Sequence, residues 1–297
     1  MALRWSIVGV GIAGRARARA LLASDRDELV KVWRGRFAAD TGVPVVGSFQ
    51  EALEEVDAIV VASPSEHHPA QVRAALEAGL HVVVEFPLAR SVAEGIELFE
   101  LARARQRVLH VEHIELLEAA GRTLCAQAPQ AVLTSASVRF ERSGPEGAGA
   151  PSLAWGNVAR LHRLVALAGA VTEVVAVAHE PGVLTAQLAT ASGVVASLHL
   201  QQAPYLRRAT HIEVQTPAGT WVQHNGELTR DGRAVSLLGT RSLFASDQRV
   251  ATARILDGHA HYVSDDQILH VLEVAERLAA RRVGPVPPRQ VGSHTPF

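Results

Sequence analysis

The chain has 297 residues, 48% of them hydrophobic, which is enough for two domains with cores of their own. Its 29 lysines and arginines against 30 acidic residues give a formal charge of −1, so no basic excess points to nucleic acid or an anionic membrane as partner. One cysteine, Cys125, excludes an internal disulfide, and no signal-peptide pattern or apolar span of about 20 residues stands out, so a cytoplasmic protein is expected.

The first 118 residues alternate strand and helix signals. WSIVGV is a strand, and Arg15 to Ser24 a helix rich in alanine and arginine. ELVKVW is a second strand, followed by the short apolar VPVV. Ser48 stands three residues before Glu51, the spacing of a capping box, and opens a helix to Glu55. DAIVVAS is a strand, His68 to Ala78 a helix closed by Gly79, and HVVVEF a strand stopped by Pro87. Ser91 to Arg105 is a helix and RVLHVEH a strand. Continuous apolar strands between helices predict a parallel sheet covered on both faces.

Beyond 118 the pattern changes. Ala131 to Glu141 alternates, Ser143 to Ser152 reads as a loop, and Val158 to Leu167 as a helix closed by Gly169. Strand-like runs follow, among them VTEVVAVAHE, VLTAQLAT, GVVASLHLQQ, THIEVQTP and GTWVQH. Ser264 to Arg281 has helical apolar spacing at Ile268, Val271, Val274 and Leu278. The expected class is α/β. A Rossmann-type dinucleotide-binding domain over 1–118 precedes an α+β domain over 119–297, built on an open, mainly antiparallel sheet.

The first strand runs into Gly9, Gly11 and Gly14, spaced G-x-G-x-x-G. Gly9 permits the tight turn, Gly11 lets the backbone approach a diphosphate, and Gly14 lets the helix sit close to its strand. Ile12 and Ala13 lie in this turn and are expected at the cofactor, and the N-terminus of the helix that follows supplies amide groups and a dipole that favour the phosphates. The second strand ends at Trp33 without a following carboxylate and continues Arg34-Gly35-Arg36. A carboxylate there accepts from a free ribose 2′-hydroxyl, whereas arginines suit a 2′-phosphate, so NADPH is favoured and NADH remains possible. Ser63 and Pro64 are placed in the cofactor trough with His68 on its rim. Adjacent His67 and His68 do not converge from one helix face, and no metal is expected.

Glu85, Phe86 and Pro87 close a strand at the carboxyl edge of the sheet, where ligands of such folds bind. Glu85 is a candidate for orienting nicotinamide or substrate. In HVEHIELL, His110 and Glu112 share a strand parity and His113 takes the other unless a helix starts there. A histidine at a strand edge can give a proton and a nearby carboxylate can fix its tautomer, so Glu112 and His113 are candidate catalytic residues. Arg160 and Arg163, three apart on one helix, are suited to gripping carboxylates, although for Arg163 a solvated helix face is the favoured reading. Arg207 and Arg208 form a further basic pair.

GVGIAG, EFPLARS and RVLHVEHIELL together resemble the Gfo/Idh/MocA oxidoreductase family, and within it the bilin-reducing members. Many members of the wider family carry E-K-P where this chain has Glu85-Phe86-Pro87, and the lysine assists oxidation of sugars or inositol. Phenylalanine there argues against that chemistry. The helix that often carries H-x-x-D has Ala159 and His162 in the matching frame. LHVEHIELL matches the family stretch at His110, Glu112, His113 and Glu115, and ARLHRLVALAG places Arg160 on a family arginine. The resemblance implies NADPH-dependent hydride transfer to C10 of biliverdin, giving bilirubin. It implies a small-molecule partner, a linear tetrapyrrole, with Arg160, Arg163 or Arg207 for its propionates and Phe86 and Trp155 against its flat face. A related NAD(P)-dependent enzyme acting on a sugar or cyclic alcohol, and a non-catalytic NADP(H)-binding sensor or scaffold, stay open. So does the choice between monomer and homodimer.

Overall fold

A computed structural model of the chain describes residues 2–237, 239 and 242–289. The first strands and helices are β1 (Leu3–Val8), α1 (Ile12–Leu22), β2 (Asp27–Trp33), α2 (Phe49–Leu53), β3 (Ala58–Val61), α3 (His68–Glu77), β4 (His81–Val84), α4 (Val92–Ala104) and β5 (Leu109–Val111). Next come α5 (Ala119–Gln127), β6 (Ser135–Arg142), α6 (Ala150–Trp155), α7 (Val158–Ala168), β7 (Val171–Glu180), β8 (Val183–Thr190) and β9 (Val195–Gln202). The rest are β10 (Ala209–Thr216), β11 (Gly219–His224), β12 (Glu227–Arg230), β13 (Arg233–Ala234), α8 (Leu243–Asp257), α9 (Asp265–Ala279) and β14 (Gly284–Pro285). Contacts divide the chain into two units, Met1–Ile114 with Arg241–Tyr262 and Glu115–Thr240 with Val263–Phe297. The chain thus leaves the first unit after 114 and returns to it for α8.

The first unit holds, among the described residues, a parallel sheet in the order β2-β1-β3-β4-β5. Its central strands are apolar on both faces because helices cover both. Ile59, Val60 and Val61 on β3 and Val82, Val83 and Val84 on β4 are fully buried. Trp5, Ile7, Leu21 and Val32 join β1, α1 and β2 in one cluster with Ala251 of α8. The capping box at α2 forms, with the Glu51 amide donating to Ser48 Oγ at 3.2 Å. α8 was not foreseen. It is held to β2 by Thr252 Oγ1, which donates to Asp27 Oδ1 at 2.8 Å.

In the second unit the described strands form one sheet, β13-β12-β11-β10-β6-β9-β8-β7-β14. Neighbours pair antiparallel except β6 with β9. Alternation places Ala136, Val138 and Phe140 of β6 and Ala196, Leu198 and Leu200 of β9 inward. Helices α6, α7 and α9 pack against the strands and each other. All of α7 is buried, so Arg163 is not on a solvated face, and α6 occupies part of the expected loop at 143–152. Ser264 Oγ caps α9 by accepting from the Gln267 amide at 3.1 Å. No helix among the described residues is long and apolar enough to cross a membrane.

His270 of α9 accepts the Val171 amide through Nε2 at 3.0 Å, which requires an uncharged ring with its proton on Nδ1. Burial, and then Arg289, holds its pKa down at about 4. The unfolded chain therefore binds the extra proton first, and stability falls as pH drops from the ordinary histidine value of about 6.5 towards 4. Replacing His270 by Gln is expected to flatten the dependence of melting temperature on pH across that window, measured by calorimetry. An unchanged slope would remove His270 as its source.

Candidate functional site

β1 delivers the chain into a turn whose glycines are dictated by space. Gly9 has φ of +90°, and a Cβ there would run into the Ser63 backbone. A Cβ at Gly14 would strike the Gly9 carbonyl, whereas one at Gly11 would meet nothing within 4 Å. Gly9 and Gly14 thus serve close packing, and Gly11 leaves open room at the N-terminus of α1. No side chain caps that helix and no acidic residue stands in its first turn, so its amides suit an anion. Exposed Ile12 and half-buried Ala13 belong to this turn. A cavity of about 450 Å³ opens here, lined by Gly9, Gly11, Arg34, Ser63, Pro64 and His67, among others. Its size suits a small-molecule site.

No carboxylate lines this cavity. Exposed Arg34 and Arg36 stand beside aromatic rings, Arg34 5.1 Å from the Trp33 ring centre and Arg36 4.5 Å from that of Phe37. Arg15 of α1, not singled out in the sequence, lies 4.7 Å from the same Phe37 ring. Gly35 has φ of +120°, and a Cβ would strike Val10, so the Arg-Gly-Arg turn needs its glycine. The donor set fits a dinucleotide, and a 2′-phosphate better than a bare ribose.

His68 does not present its ring on the rim. It is buried between two carbonyls, Nε2 2.8 Å from Ser63 O and Nδ1 2.9 Å from Pro87 O. It ties the loop after β3 to the cis Phe86–Pro87 turn after β4.

At the carboxyl edge of β4 and β5, buried charge converges. Glu85 is not a solvated strand end: its Oε1 accepts from Arg17 Nε at 2.8 Å. Arg17 has no exposed surface, and its Nη1 lies 2.6 Å from Asp247 Oδ2. Burial alone would lower the Arg17 pKa, but Asp247, then Glu85 and Glu112, more than reverse this and raise it. Burial likewise works against the Asp247 carboxylate, yet Arg17, His110 and the Tyr262 hydroxyl hold its pKa far below the ordinary range. His110 Nε2 lies 2.9 Å from Asp247 Oδ1, and Nδ1 3.3 Å from Arg254 Nη1. Arginine can only donate, so Nδ1 accepts and Nε2 carries the proton towards Asp247. Burial lowers the His110 pKa, with Asp247 opposing.

β5 ends at Val111, so strand parity does not sort Glu112 and His113 as expected. Both are fully buried, and His113 is no open strand-edge donor. Its backbone amide donates to the Tyr262 hydroxyl at 3.1 Å, and that hydroxyl donates to Asp247. Glu112 Oε1 accepts from the Ile114 amide, and its Oε2 is buried without a hydrogen-bond partner. Burial, then the nearby Glu85 and Asp247, pushes the Glu112 pKa well up.

In the second unit, Glu115 pairs with both Arg160 and Arg208, the latter at 2.8 Å. The Arg160 guanidinium stacks 3.8 Å from the Phe140 ring centre. Arg160 is buried, whereas the Arg208 side chain is 72% exposed. Arg163 is buried between Glu118, at 2.8 Å, and Gln223 Oε1, which accepts from it at 2.6 Å. Arg207 is exposed. Trp155 is 8% exposed, packed at the end of α6, and is not the open face that stacking on a ligand asks for; Phe86 is half-buried.

This fold and dinucleotide site define an NAD(P)-dependent oxidoreductase. The Gfo/Idh/MocA group, described as an oxidoreductase family with an NAD-binding Rossmann fold, matches residues 3–113. Biliverdin reductase A of Mus musculus is 30% identical over 294 residues, covering 93% of this chain and 96% of that protein. The crystal structure of biliverdin reductase from Synechocystis sp. PCC 6803, in complex with biliverdin and NADP+, matches with a TM-score of 0.81 at 26% identity, over 94% of this chain and 99% of that one. UDP-N-acetylglucosamine 3-dehydrogenase of Acidithiobacillus ferrooxidans is 30% identical over 118 residues, 38% of this chain and 37% of that enzyme. The chain belongs to the Gfo/Idh/MocA oxidoreductase family, in its biliverdin reductase branch.

A charge-assisted hydrogen bond contributes roughly 1.5–3 kcal/mol. The double change Arg34→Ala, Arg36→Ala is therefore expected to raise the NADPH dissociation constant at least about tenfold and that of NADH little, followed by fluorescence titration. Equal losses for the two cofactors would remove the arginines from the 2′-phosphate.

Proposed function

We propose that the protein is an NADPH-dependent biliverdin reductase. The observation that carries this reading is sequence likeness: identity to a biliverdin reductase runs over 93% of the chain, whereas identity to the dehydrogenase runs over 118 residues, although the fold of that enzyme matches over 95% of this chain. Phe86 supports it: oxidation of a carbinol needs a base to take the hydroxyl proton, and phenylalanine cannot serve. Reduction of a conjugated methine bridge needs hydride at carbon and a proton at a pyrrole nitrogen. The bound cofactor supplies the hydride, here to C10.

The chain's residues do the rest. Gly9, Gly11 and the α1 amides of Ile12 and Ala13 hold the diphosphate, with Gly14 packing the helix under it. Arg15, Arg34 and Arg36 hold the 2′-phosphate, and Ser63 and Pro64 line the trough. His68 acts by fixing its two flanking loops rather than by touching the cofactor. Arg17 fixes Glu85 at the nicotinamide end. Glu112 holds its carboxyl proton to a higher pH than an ordinary glutamate, because burial and the neighbouring Glu85 and Asp247 disfavour a further negative charge. His113 serves through its backbone amide. The half-buried Phe86 ring offers an apolar face to the tetrapyrrole.

For the propionates, Arg160 and Arg208 both pair with Glu115 and supply the cationic groups that carboxylates need. Arg208 is the solvent-facing member and adjoins exposed Arg207, so these two make first contact with the substrate. Arg160 organises the cluster from beneath, and Arg163, held by Glu118, supports it from within.

Mixing the protein with biliverdin and NADPH is expected to replace the visible spectrum of biliverdin with that of bilirubin, more slowly with NADH. No change with biliverdin, but oxidation of a sugar or cyclic alcohol, would establish the dehydrogenase reading instead. Cofactor binding with no turnover of either would support a sensor. Arg208→Ala is expected to raise KM for biliverdin severalfold with NADPH affinity unaltered, and Arg160→Ala to lower kcat/KM further. Because protonated Glu112 is the working form, activity is retained at low pH and lost as pH rises through its raised pKa. In Glu112→Gln that alkaline loss should vanish from an already reduced rate, measured as a pH–rate profile.

A further inference from the structure

The first unit places an anion on α8 where no motif announces one. Asp247 has no exposed surface, yet it meets three separate parts of the site. One oxygen faces Arg17 of α1, and the other faces His110 of β5 and accepts the hydroxyl proton of Tyr262. Arg17 in turn holds Glu85, and Tyr262 accepts the amide of His113. We propose that Asp247 is a positioning residue for the carboxyl edge: it fixes Arg17 between itself and Glu85 and anchors the end of β5, so that Glu112 stands beside two carboxylates that already share one guanidinium.

Counting charges gives the consequence. Arg17 contacts Glu85 at 2.8 Å and Asp247 at 2.6 Å, two anions on one cation. Glu112 is the third carboxyl, and its outer oxygen has no hydrogen-bond partner. Among the described residues, the other groups at this cluster are His110, Arg254, His261 and Tyr262. His110 gives its one proton to Asp247, Arg254 lies against the far side of the His110 ring, and His261 stacks on that ring 4.2 Å away. Burial, His110 and Arg254 lower the His261 pKa, and burial and Asp247 raise that of Tyr262, so neither adds charge at neutral pH. Asp247 therefore acts on the reaction through Glu112: by occupying Arg17 it keeps the Glu112 proton in place.

The test follows the Glu112 carboxyl directly by carbon NMR of full-length protein labelled in glutamate, with the resonance assigned by Glu112→Gln. In the native protein its titration midpoint should lie above the ordinary glutamate range. In Asp247→Asn it should fall towards that range, since Arg17 is then free to favour the Glu112 anion. A midpoint that stays put in folded Asp247→Asn overturns the proposal. If that variant does not fold, Glu85→Gln decides: it removes an anion from the same guanidinium, so the Glu112 midpoint should fall, and an unmoved midpoint again overturns it. The kinetic arm alone rests on the reductase reading. There Asp247→Asn should lower kcat about tenfold or more, leave KM for NADPH near its native value, and move the alkaline limb to lower pH. A loss equal at every pH would mark a structural role only. Native protein inactive on biliverdin would sink the reductase reading and leave the NMR result standing.

Discussion

A guanidinium with no access to water sets the terms for the first unit. Arg17 cannot be neutralised by losing its proton, so the fold has to bring anions to it. It does so from two directions, with Glu85 from the end of β4 and Asp247 from α8. Breaking such a buried pair by removing one partner costs roughly 3–5 kcal/mol, because the other charge is left stranded. This explains why α8 returns to the first unit although the second unit separates it in sequence. It also explains why Glu85 has a fixed side chain at the carboxyl edge of the sheet.

Arg17 sits on the helix that follows the glycine turn, in the run Arg15-Ala16-Arg17-Ala18-Arg19. Successive arginines there are about 200° apart around the helix. Arg15 reaches Phe37, Arg19 is exposed, and only Arg17 turns inward. One helix therefore serves two purposes: its uncapped N-terminus opens on the glycine turn, while its inner face carries the charge that meets Glu85 and Asp247.

The glycine turn, the parallel strands and the Arg-Gly-Arg turn were legible in the sequence because each follows from local rules. A glycine spacing, a run of valines and a missing carboxylate can be read without knowing the neighbours. What escaped has one physical cause. Helix α8 was missed because its inward face is Asp247, Gln248, Ala251 and Thr252, polar apart from one alanine, so no apolar stripe marks it. Its partners are Arg17, His110 and Asp27, buried polar groups in the first unit. The misplacing of Glu112, His113 and His68 has the same root. Their burial follows from hydrogen bonds to Ile114, Tyr262, Ser63 and Pro87, which pattern alone does not predict. The signal that could have found them is the excess of charged and histidine residues among otherwise apolar strand ends.

The stretch HVEHIELL divides its carboxylates between two opposite environments. Glu112 belongs to the first unit, where carboxyls outnumber the guanidinium that serves them. Glu115, three residues on, belongs to the second, where it pairs with Arg160 and Arg208. Burial and two neighbouring carboxylates push the Glu112 pKa up, whereas Glu115 lies against two guanidinium groups. Three positions of one stretch are thus enough to pass from a buried carboxyl with one oxygen lacking a hydrogen-bond partner to a carboxylate held by arginines.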